Sequence, residues 1–149
     1  MSDQKGPPQG SPKGSGGPLR VLHCDDDPMN LRVVQEILEA FGHSAVAVLS
    51  GAEALDHLGR EAFDVVLMDI HMPEMSGLEV VERLRASVGP ERNTPVIALT
   101  ADVLSRQPQE YAALGFDDFV SKPILVSGLM ASIQRAAAGG ARPPLSRAS

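Results

Sequence analysis

Tryptophan is absent from this chain, tyrosine occurs once and phenylalanine four times in 149 residues. Proteins that grip single-stranded nucleic acid need aromatic rings interleaved with basic residues, and this composition offers no such surface. There is one cysteine, Cys24, which excludes an internal disulfide and the disulfide-stapled class of small secreted domains. Cys24 sits in an apolar segment and reads as a small buried hydrophobe. No apolar run approaches the ~20 residues that cross a bilayer, and the N-terminus lacks the apolar stretch of a signal peptide. A cytoplasmic protein is the simplest expectation, with no membrane partner. Positive charge is also short, with 13 Lys and Arg against 19 Asp and Glu, a net of −6. The N-terminal tail holds Asp3, Lys5 and Lys13, a net of +1, and the C-terminal tail holds Arg142 and Arg147, a net of +2, which leaves −9 between them. An acidic domain repels nucleic acid, whose affinity comes largely from neutralised phosphates. The same acidity suits a divalent cation.

The length fits one domain. Residues 1–18 hold five Gly and four Pro among polar residues. Such a segment cannot bury enough apolar area to offset its ordering entropy, so it reads as a disordered tail or linker. Residues 139–149 read the same way. The folded domain is expected over residues 19–138.

Within it, four apolar segments end in reactive side chains. Leu19–Cys24 runs into Asp25-Asp26-Asp27, and Val65–Met68 into Asp69. Pro95–Leu99 ends in Thr100, and Asp117–Ser121 in Lys122-Pro123. Continuous apolar runs of this length read as buried strands. Ser44–Leu49 supplies another short strand. Helices alternate with the strands. Asp27 is a plausible N-cap with Pro28 behind it. Leu31, Val34, Ile37, Leu38 and Phe41 then recur at helical spacing up to Gly42. Ser50 with Glu53 fits a capping box, and Ala54, Leu55 and Leu58 carry that helix to about Glu61. Leu78, Val81, Leu84 and Val88 mark a third helix. A fourth runs from Pro108, harmless in a first turn, to Leu114, where Gly115 ends it. A fifth spans Leu125–Ala138, with Leu129, Ile133 and Ala137 on one face. Five strands each followed by a helix indicate an α/β fold, a parallel sheet covered on both faces.

Open sheets of this kind put ligands at the carboxyl ends of their strands. Acids crowded there repel each other. One like-charge pair at ~4 Å costs about 4 kcal/mol at an effective dielectric near 20. Asp25, Asp26 and Asp69 therefore call for protonation or a cation. Mg2+ takes hard oxygen ligands and often bridges carboxylate to phosphate, so the acids predict a metal and the metal a phosphoryl group.

The phrases CDDDPMN, VVLMDIHMPEMSGLE, VIALTAD and GFDDFVSKPI, in this order, resemble the receiver domain of two-component response regulators, the CheY-like fold. They are most similar to receivers attached to hybrid histidine kinases. The resemblance covers roughly residues 19–138. It implies a doubly wound, flavodoxin-like sheet in the order 2-1-3-4-5, with the switch point between strands one and three. It implies that Asp69 accepts a phosphoryl group and becomes an acyl phosphate. Asp26 and Asp69 would hold Mg2+ directly, Asp25 through water, and the backbone carbonyl of His71 would add a ligand. Lys122 would pair with the phosphoryl charge and Thr100 would donate its hydroxyl to it. The family often has a cis peptide at the position of Lys122-Pro123.

The implied donor is a phosphohistidine on a sensor or hybrid kinase or on a histidine phosphotransfer protein. The implied output is protein binding or onward relay through helix four, strand five and helix five, with a homodimer among the admissible partners. The protein would be a phosphoacceptor with no DNA-binding output and not an enzyme turning over an external substrate. Thr100 and an inward-turning aromatic on strand five would form the switch. That aromatic is Phe119 here, where many members have Tyr, and Phe lacks the hydroxyl that a hydrogen-bonded switch step would use. Moving a population from 1% to 99% takes about 5.5 kcal/mol, and one hydrogen bond to a charged group supplies about 1.5–3. Partner binding or incomplete switching is expected. His71 and Asp102, each two residues past a site residue, should meet at the mouth, where a protonated His71 paired with Asp102 would screen attacking water.

Other readings attach to single residues. Asp27 is read as a helix cap, and His23 and His43 as structural or solvated. His57 is read as solvated, Met68, Met72 and Met75 as packing, and Asp117-Asp118 as capping a turn. Two further functions compete for the whole chain. Asp25-Asp26-Asp27 satisfies the strand-end Asp-x-Asp of haloacid-dehalogenase-like phosphatases, but Pro28 is out of place there and a second acidic motif is missing after Lys122. A receiver-like fold kept only for binding is the other, opposed by the complete acid, Thr and Lys set.

Overall fold

The computed structural model describes residues 17–102 and 106–139. Among the described residues five strands, β1 Arg20–Cys24, β2 Ser44–Val48, β3 Val65–Asp69, β4 Val96–Thr100 and β5 Asp118–Ser121, alternate with five helices. These are α1 Pro28–Ala40, α2 Gly51–Arg60, α3 Gly77–Ala86, α4 Pro108–Leu114 and α5 Val126–Gly139, with a short 3-10 turn at Pro90–Asn93. All four strand pairs are parallel, in the order β2-β1-β3-β4-β5. That is the order the family resemblance implied.

Both central strands, β3 and β4, are buried along their whole length, which is why they read as unbroken apolar runs. Their side chains alternate between two cores. Val66, Met68 and Ala98 face Ala54 and Leu58 of α2, Val80, Val81 and Leu84 of α3 and Tyr111 of α4. Val65, Leu67, Ile97 and Leu99 face Val34 and Leu38 of α1 and Leu129 and Ile133 of α5. Each large side chain buried in this way contributes about 1.5–3 kcal/mol. A strand slipped by one residue would exchange the two sets, so the register that levels the strand ends is firmly fixed.

The helix signals act much as expected. Asp27 caps α1 by accepting the Met29 amide at 3.0 Å. Ser50 Oγ accepts the Glu53 amide at 3.2 Å, while Glu53 Oε1 accepts the amide of Leu49 and not that of Ser50. Gly42 and Gly115 end their helices at φ 86° and 107°. Two apolar positions depart from expectation. Val88 lies beyond α3 and is 97% exposed, because the Ser87 hydroxyl turns back to the Leu84 carbonyl and closes the helix. Phe41 lies one residue past α1, half exposed, because the chain has already begun the Gly42 turn. The tails read as disordered, 1–18 and 139–149, lie outside the described residues apart from Gly17, Pro18 and Gly139.

Candidate functional site

The register pairs Cys24 with Met68, Asp69 with Leu99 and Thr100 with Ser121. It therefore brings the carboxyl ends of β1, β3, β4 and β5 level along one edge. Asp25 follows β1, Asp69 ends β3, Thr100 ends β4 and Lys122 follows β5. β1 and β3 flank the point where the chain reverses its direction across the sheet, the place where such sheets bind ligands.

Three of these side chains, Asp25, Asp69 and Lys122, meet. Lys122 Nζ lies 3.3 Å from Asp25 Oδ2 and 3.2 Å from Asp69 Oδ1. Asp25 and Asp69 are only 1% and 3% exposed, whereas Asp26 is open to solvent. Each of the three acids offers an oxygen within 4.8 Å of the other two. Asp25 is held on both sides: Oδ1 accepts the Asp27 amide at 2.9 Å and Oδ2 accepts Asn30 Nδ2 at 3.2 Å. Asp69 Oδ1 also accepts the His71 amide at 3.3 Å. The Thr100 oxygen accepts the Asp102 amide at 2.9 Å, which leaves its hydroxyl proton to be donated elsewhere.

Burial raises the pKa of Asp69 from its ordinary value, the neighbouring charge of Asp25 pushes the same way, and Lys122 pulls against them. Burial works against the charge of Lys122, but attraction to Asp25 and Asp69 outweighs it and raises its pKa. One ammonium shared by two buried carboxylates, with Asp26 beside them, leaves surplus negative charge on hard oxygens. That donor set fits Mg2+, which takes one or two carboxylates, keeps waters and tolerates a phosphate oxygen among its ligands.

The β3–α3 loop is folded tightly over Asp69. The Gly77 amide donates to the Ile70 carbonyl at 3.0 Å, and a Cβ on Gly77 would overlap the Asp69 carbonyl and lie 2.9 Å from Ile70 Cα. Glu74 in this loop adopts a left-handed φ of 67°. The Lys122–Pro123 peptide is cis.

Phe119 on β5 is half-buried and stacks on Tyr111 of α4, with ring centroids 4.8 Å apart and planes 26° from parallel. His71 and Asp102 are both exposed, past the ends of β3 and β4.

Some neighbours were not anticipated. Asn30, five residues after Asp25, was legible as a polar residue in the first turn of α1, but its target was not. His23 is structural, as expected, yet unusual: it is 1% exposed, and among the described residues neither ring nitrogen has a hydrogen-bond partner. Burial lowers its pKa to about 4, against the opposing pull of Asp25, so the ring is neutral. Burial, reinforced by the surrounding acids, pushes the Cys24 thiol up to about 12. Cys24 is therefore an inert core residue, 3.6 Å from the sulfur of Met72. His57 is not simply solvated, since its Nδ1 lies 2.8 Å from Glu61 Oε2. Asp117 and Asp118 do more than cap a turn. Asp117 accepts the Val96 amide and a nitrogen of Arg85, and Asp118 accepts Ser132 Oγ and Arg135. Asp27 is committed to capping α1, which leaves it poorly placed for the acid/base role of a phosphatase Asp-x-Asp.

The family model for the response regulator receiver domain matches residues 21–134. The chain is 43% identical over 118 residues to the sensor protein GacS of Pseudomonas syringae, an alignment that covers 77% of this chain and 13% of that protein. It is 38% identical over 117 residues to the aerobic respiration control sensor protein ArcB of Escherichia coli, covering 78% and 15%. The chain thus spans only about one seventh of the length of these relatives. Among solved structures it is similar to the receiver domain of sensor histidine kinase PA1611 from Pseudomonas aeruginosa, described with a magnesium ion in its active-site cleft. That match has a TM-score of 0.73 and 28% identity, and covers 81% of this chain and 98% of the other. It is also similar to the chemotaxis protein CheY4 of Vibrio cholerae, with a TM-score of 0.72 and 29% identity over 80% and 99% of the two chains.

Proposed function

Because the chain belongs to the response regulator receiver domain family, we propose that Asp69 accepts a phosphoryl group from a protein phosphohistidine and that the chain signals by protein contact or by passing that group on. The observation that carries this reading is Lys122 bridging Asp25 and Asp69 at the buried strand ends, with Asp26 beside them.

In the proposed reaction an oxygen of Asp69 forms a bond to phosphorus as the donor's N–P bond breaks. The bonding pair leaves on the imidazole nitrogen. Asp26 and Asp69, the His71 carbonyl and, through water, Asp25 would hold Mg2+, which when bound offsets charge on the phosphoryl oxygens. Lys122 sits 3.2 Å from the acceptor carboxylate and stabilises the charge that arrives there. Thr100 donates its free hydroxyl proton to a phosphoryl oxygen. Positioning and charge stabilisation supply most of the catalysis in phosphoryl transfer. Lys122→Ala should therefore slow phosphorylation about 10²-fold, the scale of losing one preorganised charge-stabilising group.

Movement of Thr100 toward the phosphoryl group would reach Phe119, and through its stacked partner Tyr111 it would reach α4. The α4–β5–α5 surface is the proposed output face. His71 and Asp102 are proposed to screen the acyl phosphate from water together, so that His71→Asn and Asp102→Ala each change its lifetime. Equal lifetimes in both variants and the wild type would refute that role.

Intact-protein mass spectrometry after Mg2+ and acetyl phosphate, on wild type and Asp69→Ala, tests the central reading. One base-labile phosphoryl adduct that is absent from the variant is expected. An adduct that survives the substitution would move the nucleophile, with Asp25 the first suspect. No adduct from either acetyl phosphate or a phosphohistidine protein would favour a fold kept only for binding.

A further inference from the structure

His23 carries two polar ring atoms into a site where neither is used. A neutral imidazole has one N–H to donate and one lone pair to fill, and leaving them unmet in a buried position costs as much as lost hydrogen bonds. An aliphatic side chain would fill this position on β1 without that cost. The ring is not remote from polar groups, since Nε2 lies 4.0 Å from Asp25 Oδ2. What keeps them apart is occupancy. Asp25 Oδ2 already accepts Asn30 Nδ2 at 3.2 Å and faces Lys122 Nζ at 3.3 Å. A carboxylate oxygen has about two lone-pair sites, and both are taken.

We propose that His23 is a reserve hydrogen-bond donor that takes hold of Asp25 when Lys122 turns to a phosphoryl group on Asp69. This rests on the acceptor reading of Asp69 given above. A phosphorylated Asp69 places strong acceptor oxygens and about two negative charges on the side where Lys122 Nζ already lies, 3.2 Å from Asp69 Oδ1. The ammonium follows the larger charge and loosens its hold on Asp25. Asp25, 1% exposed, then keeps Asn30 on Oδ2 but loses the second of its two donors there. His23 Nε2–H closes the 4.0 Å gap and fills the vacated lone pair. No proton changes hands and no covalent bond is made; one donor leaves and another replaces it. Asp25 stays oriented in the phosphorylated state. His23 touches neither the phosphoryl group nor the metal, so it is a positioning residue.

The test uses the full chain labelled with 15N in its histidine rings, studied by NMR before and after Mg2+ and beryllofluoride, a phosphoryl mimic whose binding 19F spectra report independently. The His23 signals are identified by their loss in His23→Gln. On binding, the Nε2 proton of His23 should move downfield and exchange more slowly with water. In parallel, the phosphorylated fraction at limiting acetyl phosphate should fall about tenfold in His23→Val, the worth of about one hydrogen bond. His23→Gln places an amide nitrogen near the site of Nε2 and should restore the fraction to within about threefold. Thermal melts of both variants separate this effect from misfolding. Unmoved His23 signals with the mimic bound, or a wild-type phosphorylated fraction in His23→Val, would overturn the proposal alone. Wild type that binds no mimic and forms no adduct would overturn the acceptor reading and this one with it.

Discussion

The charges at the strand ends set a conflict between stability and chemistry that can be read from single residues. Burial, and then Asp25, raise the pKa of Asp69 in the folded state. A raised carboxylate pKa contributes stability that is fully present below the unfolded value, about 3.9, and is lost as pH rises through the folded value. Ionisation of Asp69 therefore burdens the fold. Without metal, Asp69→Asn should melt at a higher temperature than wild type at pH 7, with the gap closing below about pH 4. Mg2+ should raise the wild-type melting temperature by binding only the folded site and should move the Asn variant far less. Calorimetry with and without a chelator reads both effects, and a wild type that melts above the variant at every pH would contradict the first. Gly77→Ala makes a different demand, since its Cβ would overlap the carbonyl of Asp69 itself. It should cost about 1–3 kcal/mol, as overpacking against a fixed backbone does, and slow phosphorylation by displacing the acceptor; chemical denaturation and acetyl phosphate kinetics would show whether it does. At this scale the reactive side chains were legible because each ends an apolar run. Asn30 was not, because its target is set by how the β1–α1 turn folds Asp25 back toward α1, and His23 was not, because its surroundings depend on Lys122, 97 residues beyond Asp25, reaching that carboxylate.

At the scale of elements, strand order and helix placement followed from alternation, caps and the family motifs. What pins the elements together did not. Arg85, on the last turn of α3, reaches the carbonyls of Arg92 and Thr94 at 2.7 Å and that of Gly115 at 2.7 and 3.0 Å, and it pairs with Asp117 at 3.1 Å. Asp117 in turn accepts the Val96 amide at 2.8 Å, at the start of β4. One guanidinium thus ties α3, the 3-10 turn and the α4–β5 connection. The sequence shows an Arg on a helix and an Asp before a strand, with a solvated face and a turn cap as their local meanings; the link exists only once the chain has folded. The side chains of Arg85 and Asp117 are 14% and 4% exposed, so removing one partner strands a nearly buried charge. Arg85→Ala should destabilise the domain by about 3 kcal/mol. Arg85→Lys should recover little of that, because an ammonium cannot span the same set of carbonyls. Urea unfolding measures both. A loss below about 0.5 kcal/mol in the Ala variant would show the network to be incidental.

For the whole molecule, the proposed function raises the question of how a phosphohistidine protein would reach Asp69, which is 3% exposed. The proposed donor must cover the strand-end edge of the sheet, and the chain places exposed apolar side chains immediately past the site residues. Met29, 69% exposed, is the second residue of α1, and its amide is held by Asp27. Leu125, 68% exposed, and Val126, 44% exposed, follow the cis Lys122–Pro123 peptide. Singly exposed apolar residues are ordinary. A set that follows both the acidic turn and Lys122 is placed to contact any protein docked over Asp69. A few such residues commonly carry most of the energy of a protein interface. Met29→Asp and Leu125→Asp should each slow transfer from a phosphohistidine protein about tenfold or more, since each puts an unpaired charge into the contact. Neither side chain belongs to the acid, Thr and Lys set, so labelling by acetyl phosphate should stay within about twofold of wild type, the range of an ordinary surface substitution. Comparing the two donors on the same variants separates docking from chemistry. An equal loss with both donors would place these residues in the reacting site and not in the docking surface around it.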